Sequence, residues 1–219
     1  MSDPATLAVD VTDLGFSYGN NKVVSMERCR LDRGRSMAVI GPSGCGKTTF
    51  LHLLAGLIRP SSGSIRILGQ DLTQLSGAPL DRFRGRNIGL VFQRFHLLPA
   101  LNVKENVLLA QRLAGSRVDA ARVATLLEQL DLEGLEHHRP SMLSQGQAQR
   151  VAIARALVHS PELIMADEPT SALDDGHAEQ ALALLSESAQ TVGAALLVVT
   201  HDQRVRGRLD GEFEMEVPA

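Results

Sequence analysis

The sequence predicts an α/β fold with a mostly parallel sheet, and four apolar runs predict it. Residues 36–40, 88–92, 163–166 and 195–199 consist almost entirely of apolar side chains. Runs of this length are typical of strands that are buried on both faces of a parallel sheet. Open α/β sheets bind ligands beyond the carboxyl ends of their strands, so the polar residues that follow the runs are predicted to meet at one edge. These residues are the glycine-rich segment 41–48, Gln93, Asp167, Glu168, Thr200 and His201.

The composition is that of a globular protein. The chain has 219 residues, of which 44% are hydrophobic and 21% charged, and its formal net charge of −3 gives no electrostatic reason to expect nucleic acid as a partner. No apolar stretch approaches the roughly 18–20 residues needed to cross a bilayer, and residues 1–4 lack the basic and apolar parts of a secretory signal. Cys29 and Cys45 form neither a metal-ligand spacing nor a disulfide framework. A cytoplasmic chain is expected, one that can still dock on a membrane protein.

The order of the periodic segments predicts a single domain, residues 1–219, with two additions to the parallel core. Alternating pieces around a turn at residues 19–21, with a later strand at 64–68, predict an N-terminal antiparallel β subdomain. Helical spacing after Gln93 predicts an inserted α-helical subdomain over about residues 95–158. Helices are expected at residues 49–55, 103–114, 118–130, 146–159 and 175–191.

Residues 41–48 match the phosphate-binding pattern G-x-x-x-x-G-K-[ST] between a predicted strand and a predicted helix. The glycines let successive backbone N–H groups point at phosphate oxygens, and the helix adds the positive end of its dipole. Lys47 is predicted to reach the β- and γ-phosphates, and Thr48 to ligate Mg²⁺. The core is therefore predicted to be a P-loop NTPase. The residues expected to contact the nucleotide here are Gly41, Pro42, Ser43, Gly44, Cys45, Gly46, Lys47, Thr48 and Thr49.

Four side chains at the other strand ends complete the predicted hydrolysis site. Asp167 is placed to hold Mg²⁺, and Glu168 to polarise the attacking water. Gln93 could bind Mg²⁺ or the water through its side-chain carbonyl, and His201 could donate a hydrogen bond to the γ-phosphate. Taken singly, a glutamine or histidine at a strand end, such as Gln93 or His201, is more often an ordinary loop residue. Their joint placement at the same predicted edge favours the catalytic interpretation.

Residues 143–147 precede a predicted helix, and two interpretations are open for them. Ser144 fits an N-cap, whose side chain satisfies one of the first backbone N–H groups of a helix. The Ser144 hydroxyl and the nearby N–H groups also fit a second phosphate site. One chain rarely needs two phosphate sites so far apart in sequence. The conflict disappears if Ser144 binds the nucleotide that a neighbouring copy holds.

Together these motifs resemble the ATP-binding subunit of an ABC transporter, over nearly the whole chain. In order they are the Walker A loop at 41–48, the Q-loop glutamine Gln93, the signature segment 143–147, the Walker B strand with its glutamate at 163–168, the D-loop 171–174 and the switch histidine His201. Other P-loop ATPases and GTPases lack the signature segment, and the sequence has no Asn-Lys-x-Asp motif for reading guanine.

The resemblance implies a head-to-tail homodimer that encloses two ATP molecules, each between the Walker A loop of one copy and the signature segment of the other. It implies that Glu168 is the catalytic base, aided by Gln93 and His201. It further implies that Mg²⁺ is bound by Thr48, Gln93 and Asp167. The other nucleotide or interface contacts that it implies are Tyr18, stacked on adenine, and Ser144, Gln145, Gly146, Gln147 and Asp174.

Within the family, residues 87–99, 105–107 and 137–140 look most like exporters of the lipoprotein-releasing and macrolide-efflux type. This likeness implies a separate transmembrane permease subunit, contacted by Gln93 and the helical insertion. It also implies a peripheral position on the cytoplasmic face of the inner or plasma membrane. Two alternatives stay open: a soluble ABC-type ATPase such as an iron–sulfur-assembly ATPase, and an importer-type ABC subunit, because amino-acid importers share several of these segments.

Two residues depart from the usual pattern of the family. Gln145 stands where glycine is most common, and a positive φ there would cost a side chain about 1 kcal/mol or more. Gly146, the more closely packed position in related sequences, is retained. Cys45 replaces a common serine but contributes mainly backbone, so we expect the loop to tolerate it.

Overall fold

A computed structural model describes residues 6–115, 117–171 and 173–217, which form two β-sheets and the helices around them. Residues 1–4, which we examined for a secretory signal, and Ala172 of the D-loop lie outside the described residues. Among the described residues, no helix combines the length and the apolar character needed to span a membrane.

The first sheet is antiparallel and is formed by the N-terminal part of the chain. Its strands are β1 (Leu7–Tyr18), β2 (Asn21–Asp32), β4 (Ser62–Ile67) and β5 (Gln70–Asp71), in the order β2-β1-β4-β5. The turn between β1 and β2 lies at Gly19 and Asn20, where Gly19 has a φ of +59°. This sheet corresponds to the predicted antiparallel subdomain.

The second sheet is parallel and aligns the strand ends that carry the polar residues. Its order is β6-β7-β8-β3-β9, and its strands are β3 (Ser36–Ile40), β6 (Ile88–Val91), β7 (Leu163–Asp167), β8 (Ala195–Thr200) and β9 (Gly211–Glu214). Ile40 pairs with Thr200, Val199 with Asp167, and Ala166 with Val91. The four apolar runs therefore end side by side.

Six α-helices lie within the described residues. They are α1 (Lys47–Leu54), α2 (Ala78–Asn87), α3 (Val103–Leu113), α4 (Ala120–Gln129), α5 (Gln145–Leu157) and α6 (Asp175–Val192). Short 3₁₀ turns occupy Leu72–Gln74, Pro140–Met142 and Gln203–Val205. Helices α3, α4 and α5 fall between β6 and β7, where the helical insertion was expected, although its boundaries remain a prediction.

Alternate residues of the parallel strands face two hydrophobic cores. In β3, Met37 and Val39 belong to a core shared with the antiparallel sheet and α1. Ala38 and Ile40 belong to a second core, shared with helices α3 to α6. Because both faces are covered, β3, β7 and β8 are almost completely buried, which is why their sequences are continuous apolar runs rather than alternating ones.

The expected cost at Gln145 does not arise. Gln145 is the first residue of α5, and among the described residues it is not one of the non-glycine positions with a positive φ. Its backbone is therefore compatible with any L-residue. Gly146 is not crowded within the protomer either, since a Cβ placed there would have no heavy atom within 4 Å. The close packing expected at Gly146 is therefore absent from the single chain.

Candidate active site

The carboxyl edge of the parallel sheet holds a cavity of about 340 Å³. The glycine loop after β3 forms one wall, and the residues that follow β6, β7 and β8 form the others. Its lining contains nine of the residues predicted from sequence, and adds Val23 from β2. The lining residues are Val23, Ser43, Gly44, Gly46, Lys47, Thr48, Thr49, Gln93, Glu168 and His201.

The glycine loop positions Lys47 through its own backbone. The Lys47 Nζ donates to the carbonyl oxygens of Gly41 and Pro42, both at 2.9 Å. Gly46 has a φ of +94°, and a Cβ there would lie 2.4 Å from the carbonyl oxygen of Val23. Only glycine fits this position, because a side chain would be both strained and obstructed. The loop is thus shaped by contacts with β2 as well as by its own sequence.

Helix α1 presents its first turn to the cavity without a side-chain cap. Its N-cap is Gly46, which offers no side-chain hydrogen bond. By contrast, α3, α4, α5 and α6 each begin with a side chain that accepts a bond from a first-turn N–H. The first N–H groups of α1 are therefore available to an anion, and the helix dipole favours negative charge at this end. A triphosphate fits this part of the site.

The oxygen atoms of Thr48 and Asp167 lie together and suit a hard divalent cation. The Thr48 Oγ1 donates to Asp167 Oδ1 at 3.2 Å. Burial raises the pKa of Asp167, the hydrogen bond from Thr48 opposes that rise, and the neighbouring Glu168 carboxylate adds to it. Hydroxyl and carboxylate oxygens are the donors that Mg²⁺ prefers. Thr48 and Gln93 line the phosphate cavity, and Asp167 lies outside its lining in contact with Thr48. The predicted magnesium ligands are thus chemically suited to Mg²⁺.

Glu168 has a strained backbone conformation, and its carboxylate is surrounded by hydrogen-bond donors. Its φ is +48°, in the left-handed region that non-glycine residues rarely adopt. Its carboxylate accepts a bond of 2.8 Å from the hydroxyl of Thr200 and one of 3.2 Å from the backbone N–H of His201. The His201 Nδ1 lies 2.8 Å from Oε1, and the Lys47 Nζ lies 3.8 Å from it. The carboxylate is therefore held between the switch histidine and the Walker lysine.

Gln93 is tied to the same network through a serine. The Gln93 Nε2 donates to the Ser171 Oγ at 3.3 Å, and Ser171 Oγ donates to the carbonyl oxygen of Glu168 at 3.1 Å. These bonds leave the side-chain carbonyl of Gln93 free of a protein donor among the bonds described. Ser171 and Thr200 were read only as parts of their motifs, yet both contact Glu168. The sequence could have indicated them, because both carry a hydroxyl group: Ser171 lies shortly after β7, and Thr200 is the last residue of β8.

The signature segment lies at a second cavity, of about 670 Å³. Ser144 caps α5: its Oγ accepts from the N–H of Gln147 at 3.2 Å, and the Gln147 side chain accepts from the N–H of Ser144 at 2.9 Å. Asp174 caps α6 and contacts His177, whose backbone N–H holds the pKa of Asp174 below its usual value. Ser144, Gln145, Gly146 and Asp174 line this cavity, and none of them lines the phosphate cavity.

Five residues predicted to contact the nucleotide lie outside both linings: Gln147, which belongs to the capping box of α5, and four others. Gly41 and Pro42 act through the carbonyl groups that bind Lys47. Cys45 is fully buried, with its backbone N–H bonded to the carbonyl of Pro42. Tyr18 is 56% exposed and packs edge-on against Phe16 at 4.8 Å between ring centroids. Its ring is accessible for stacking.

Comparisons with known proteins agree with this geometry. The profile of the ABC transporter family matches residues 24–171. The lipoprotein-releasing system ATP-binding protein LolD of Syntrophotalea carbinolica is 45% identical over 213 residues, which cover 94% of each chain. This relative supports the resemblance to the lipoprotein-releasing type.

Two solved structures extend the agreement to the fold. The ATP-binding cassette MJ0796, in a dimeric post-hydrolysis state bound to ADP and Pi, has a TM-score of 0.82 and 32% identity, over 96% of this chain and 97% of its own. The cbiO1 protein from Clostridium perfringens, part of the ABC transporter complex cbiONQ, has a TM-score of 0.86 and 28% identity, over 98% and 88%. They confirm the predicted fold class. The chain therefore belongs to the ABC transporter family, as an ATP-binding subunit that hydrolyses ATP.

Proposed function

We propose that two copies of this chain bind ATP and Mg²⁺ between them and hydrolyse the ATP to drive export through a separate transmembrane subunit. The observation that carries this proposal is the division of the predicted nucleotide contacts between two cavities of one chain. Lys47 and Glu168 line the first, whereas Ser144 and Asp174 line the second. A head-to-tail dimer would bring the second cavity of one copy to the first cavity of the other. The related cassette MJ0796 is dimeric.

The residues of the phosphate cavity divide the work of hydrolysis. Lys47 and the first N–H groups of α1 bind the phosphates. Thr48, Asp167 and Gln93 would hold Mg²⁺, which neutralises charge on the phosphoryl group being transferred. Glu168 accepts the proton of the attacking water, because, of the carboxylates in the described part of the chain, its own is the one that lines the phosphate cavity.

His201 orients Glu168 in this scheme. A hydrogen on Nδ1 is needed for the 2.8 Å contact with the Glu168 carboxylate. A donated bond to the γ-phosphate would use Nε2, so making both contacts at once requires the imidazolium form of His201. The backbone N–H of His201, which also bonds to Glu168, keeps the two residues together in either form.

Export of a lipoprotein-type substrate and a peripheral position on the cytoplasmic face of the membrane complete the proposal. Both are supported by the likeness to LolD, a lipoprotein-releasing system ATP-binding protein. The permease would select the substrate. The helices between β6 and β7, together with the Q-loop, would contact it.

The test is the oligomeric state of a variant that binds ATP and does not turn it over. Glu168→Gln keeps the shape of the side chain but removes the base. We expect this variant to be a monomer without nucleotide and a dimer with Mg²⁺ and ATP, as measured by gel filtration with light scattering. A monomer at saturating ATP would contradict the proposed dimer. Hydrolysis at the wild-type rate would contradict the role of Glu168.

A further inference from the structure

Arg204 joins two loops that both carry active-site residues. The first is the switch loop, residues 201–205, which follows β8. The second is the segment 170–175, which follows β7 and contains the D-loop. The Arg204 Nη1 donates to Asp175 Oδ1 at 2.6 Å, and its two terminal nitrogens contact the carbonyl oxygen of Leu173 at 3.3 and 3.4 Å. Arg204 therefore holds the residues on both sides of Asp174.

Asp202 fixes the guanidinium of Arg204 in this position. The Arg204 Nε lies 2.8 Å from Asp202 Oδ1, and Nη2 lies 2.7 Å from Oδ2, a bidentate pair. The Thr170 hydroxyl donates to Asp202 Oδ2 at 2.7 Å, so this carboxylate also binds the other loop. Its side chain is only 9% exposed. The pairing, first of all the hydrogen bond from Arg204, lowers the pKa of Asp202 to about 2.

Both loops lead directly to the proposed base. In the switch loop, His201 precedes Asp202 and contacts Glu168. In the other segment, Ser171 contacts Glu168 and Gln93. Capping the 3₁₀ turn at Gln203–Val205 requires only the side chain of Asp202, and not the guanidinium of Arg204. The reach of Arg204 to Leu173 and Asp175 adds a connection to the residues beside Asp174.

We propose that Arg204 is a positioning residue for hydrolysis, which couples the switch loop to Leu173 and Asp175, the residues on either side of Asp174, so that they move together. A second copy that contacts Asp174 then adjusts His201, and through it Glu168. This inference rests on the proposed dimer, because the second copy is what would press on Asp174. It assigns Arg204 no contact with the nucleotide.

The experiment compares three variants of the full chain: Arg204→Ala, Arg204→Lys and Arg208→Ala. The last is the control, because the side chain of Arg208 makes an ion pair of 2.7 Å with Glu179 of α6 and bonds to neither loop. We expect Arg204→Ala to lower kcat about tenfold, as the loss of a supporting hydrogen-bond partner does. The KM for ATP and ATP binding should change little, because none of the residues that Arg204 bonds to lines the phosphate cavity. The thermal midpoint should fall modestly, because Asp202 loses its partner cation.

The other two variants separate positioning from charge. Arg204→Lys should recover part of the lost kcat, since an ammonium can pair with Asp202 but cannot also donate to Asp175 and Leu173 in the same fork geometry. Arg208→Ala should behave as wild type. Full recovery by lysine, or an equal loss in Arg208→Ala, would overturn the proposal, because either would mean that charge alone is needed.

Four further outcomes are decisive. An unchanged kcat in Arg204→Ala would overturn the positioning role, and so would a parallel fall in kcat, ATP binding and thermal midpoint, which indicates a purely structural role. The positioning role would be supported if ATP dimerises both Glu168→Gln and the double variant with Arg204→Ala, because Arg204 would then be needed for hydrolysis and not for dimer formation. If Glu168→Gln with Arg204 intact stays monomeric, the proposed dimer fails independently of Arg204.

Discussion

Glu168 combines an unfavourable backbone conformation with the placement of its carboxylate beside Lys47. A non-glycine residue in the left-handed region costs about 1–3 kcal/mol and persists only where its surroundings enforce it. Here Thr200 and His201 enforce it, through the bonds to the carboxylate. The backbone N–H of Glu168 adds a bond of 2.8 Å to the carbonyl of Val199 in β8. The strain is therefore located at the residue proposed to be the catalytic base.

Asp202 should make the stability of the protein depend on pH in the acid range. Its pKa is about 2 in the folded protein, below the ordinary value of 3.8, because of Arg204 above all. The ionised carboxylate therefore stabilises the fold above about pH 4, and this contribution is lost as the pH falls toward 2. We expect Asp202→Asn to be less stable than wild type at pH 6, with the difference shrinking between pH 4 and 2.

Urea unfolding of both proteins across this pH range measures that difference. If the free energy of unfolding has the same pH dependence in wild type and in Asp202→Asn, the ionised Asp202 paired with Arg204 does not stabilise the fold. Asparagine is a suitable replacement because it keeps the volume and an acceptor oxygen while removing the charge.

Single residues were predictable from the sequence where a motif fixes both their type and their spacing. Lys47, Thr48 and Glu168 were identified in this way, and the structure brings them to one cavity. Thr200 was placed at the sheet edge but given no role, and Arg204 was not singled out, because Glu168, Leu173 and Asp175 are distant in the chain and only the fold brings them to these residues. The catalytic roles themselves stay predictions.

At the scale of elements, two helices begin with the same kind of cap in different settings. Helix α5 begins at a capping box formed by Ser144 and Gln147, and α3 begins at one formed by Asn102 and Glu105. The two ends have the same local chemistry, and the sequence predicts both as helix starts. They differ in setting, because only the α5 end lies in the cavity with Asp174.

This pair of capping boxes gives a matched test of the signature segment. Ser144→Ala and Asn102→Ala should each lower the free energy of unfolding by about 1 kcal/mol, the usual cost of losing an N-cap side chain. Only Ser144→Ala should impair hydrolysis, while ATP binding by the monomer stays intact. Steady-state ATPase assays and urea unfolding of the two variants give both quantities. An equal loss of activity in the two variants would reduce Ser144 to a helix cap.

The elements that the sequence did not reveal contain no fully buried residue. Helix α2 carries no buried residue, so its sequence has no apolar stripe to detect. Strand β9 is a four-residue edge strand with no fully buried side chain, and β5 has two residues. The strands of the parallel core were predictable because burial on both faces required their apolar runs. Periodicity reports full burial, whereas Leu80 and Phe83 of α2 and Phe213 of β9 pack against the first core while only partly buried.

At the scale of the whole molecule, the two cores explain why one chain can present two cavities. One core joins the antiparallel sheet and α1 to the parallel sheet, and the other joins helices α3 to α6 to its opposite face. The phosphate loop adjoins the first core, and the signature segment belongs to the helical side. The comparisons confirm this architecture as a fold class, whereas the boundaries of the helical insertion stay a prediction.

Association with a membrane partner is the prediction that belongs to this scale. The native protein should sediment with the membrane fraction and copurify in detergent with a transmembrane subunit, which mass spectrometry identifies. Leu98 lies on the segment after the Q-loop and is 44% exposed. We expect Leu98→Asp to release the chain from the membrane fraction, because a charge would be desolvated at the contact.

Leu57→Asp is the matched control, since Leu57 is also 44% exposed and lies between α1 and β4, outside the helices proposed to contact the permease. It should leave sedimentation unchanged. A wild-type protein that never sediments with membranes would favour the soluble alternative, and equal release of both variants would place the contact elsewhere.

The two bonds from Lys47 to the carbonyl groups of Gly41 and Pro42 have a consequence for affinity. A lysine side chain loses up to about 2 kcal/mol of rotamer entropy when it is fixed. Here the loop fixes it during folding, so a phosphate that arrives later does not bear that entropic cost. One ammonium hydrogen remains for the incoming anion, already directed by the backbone.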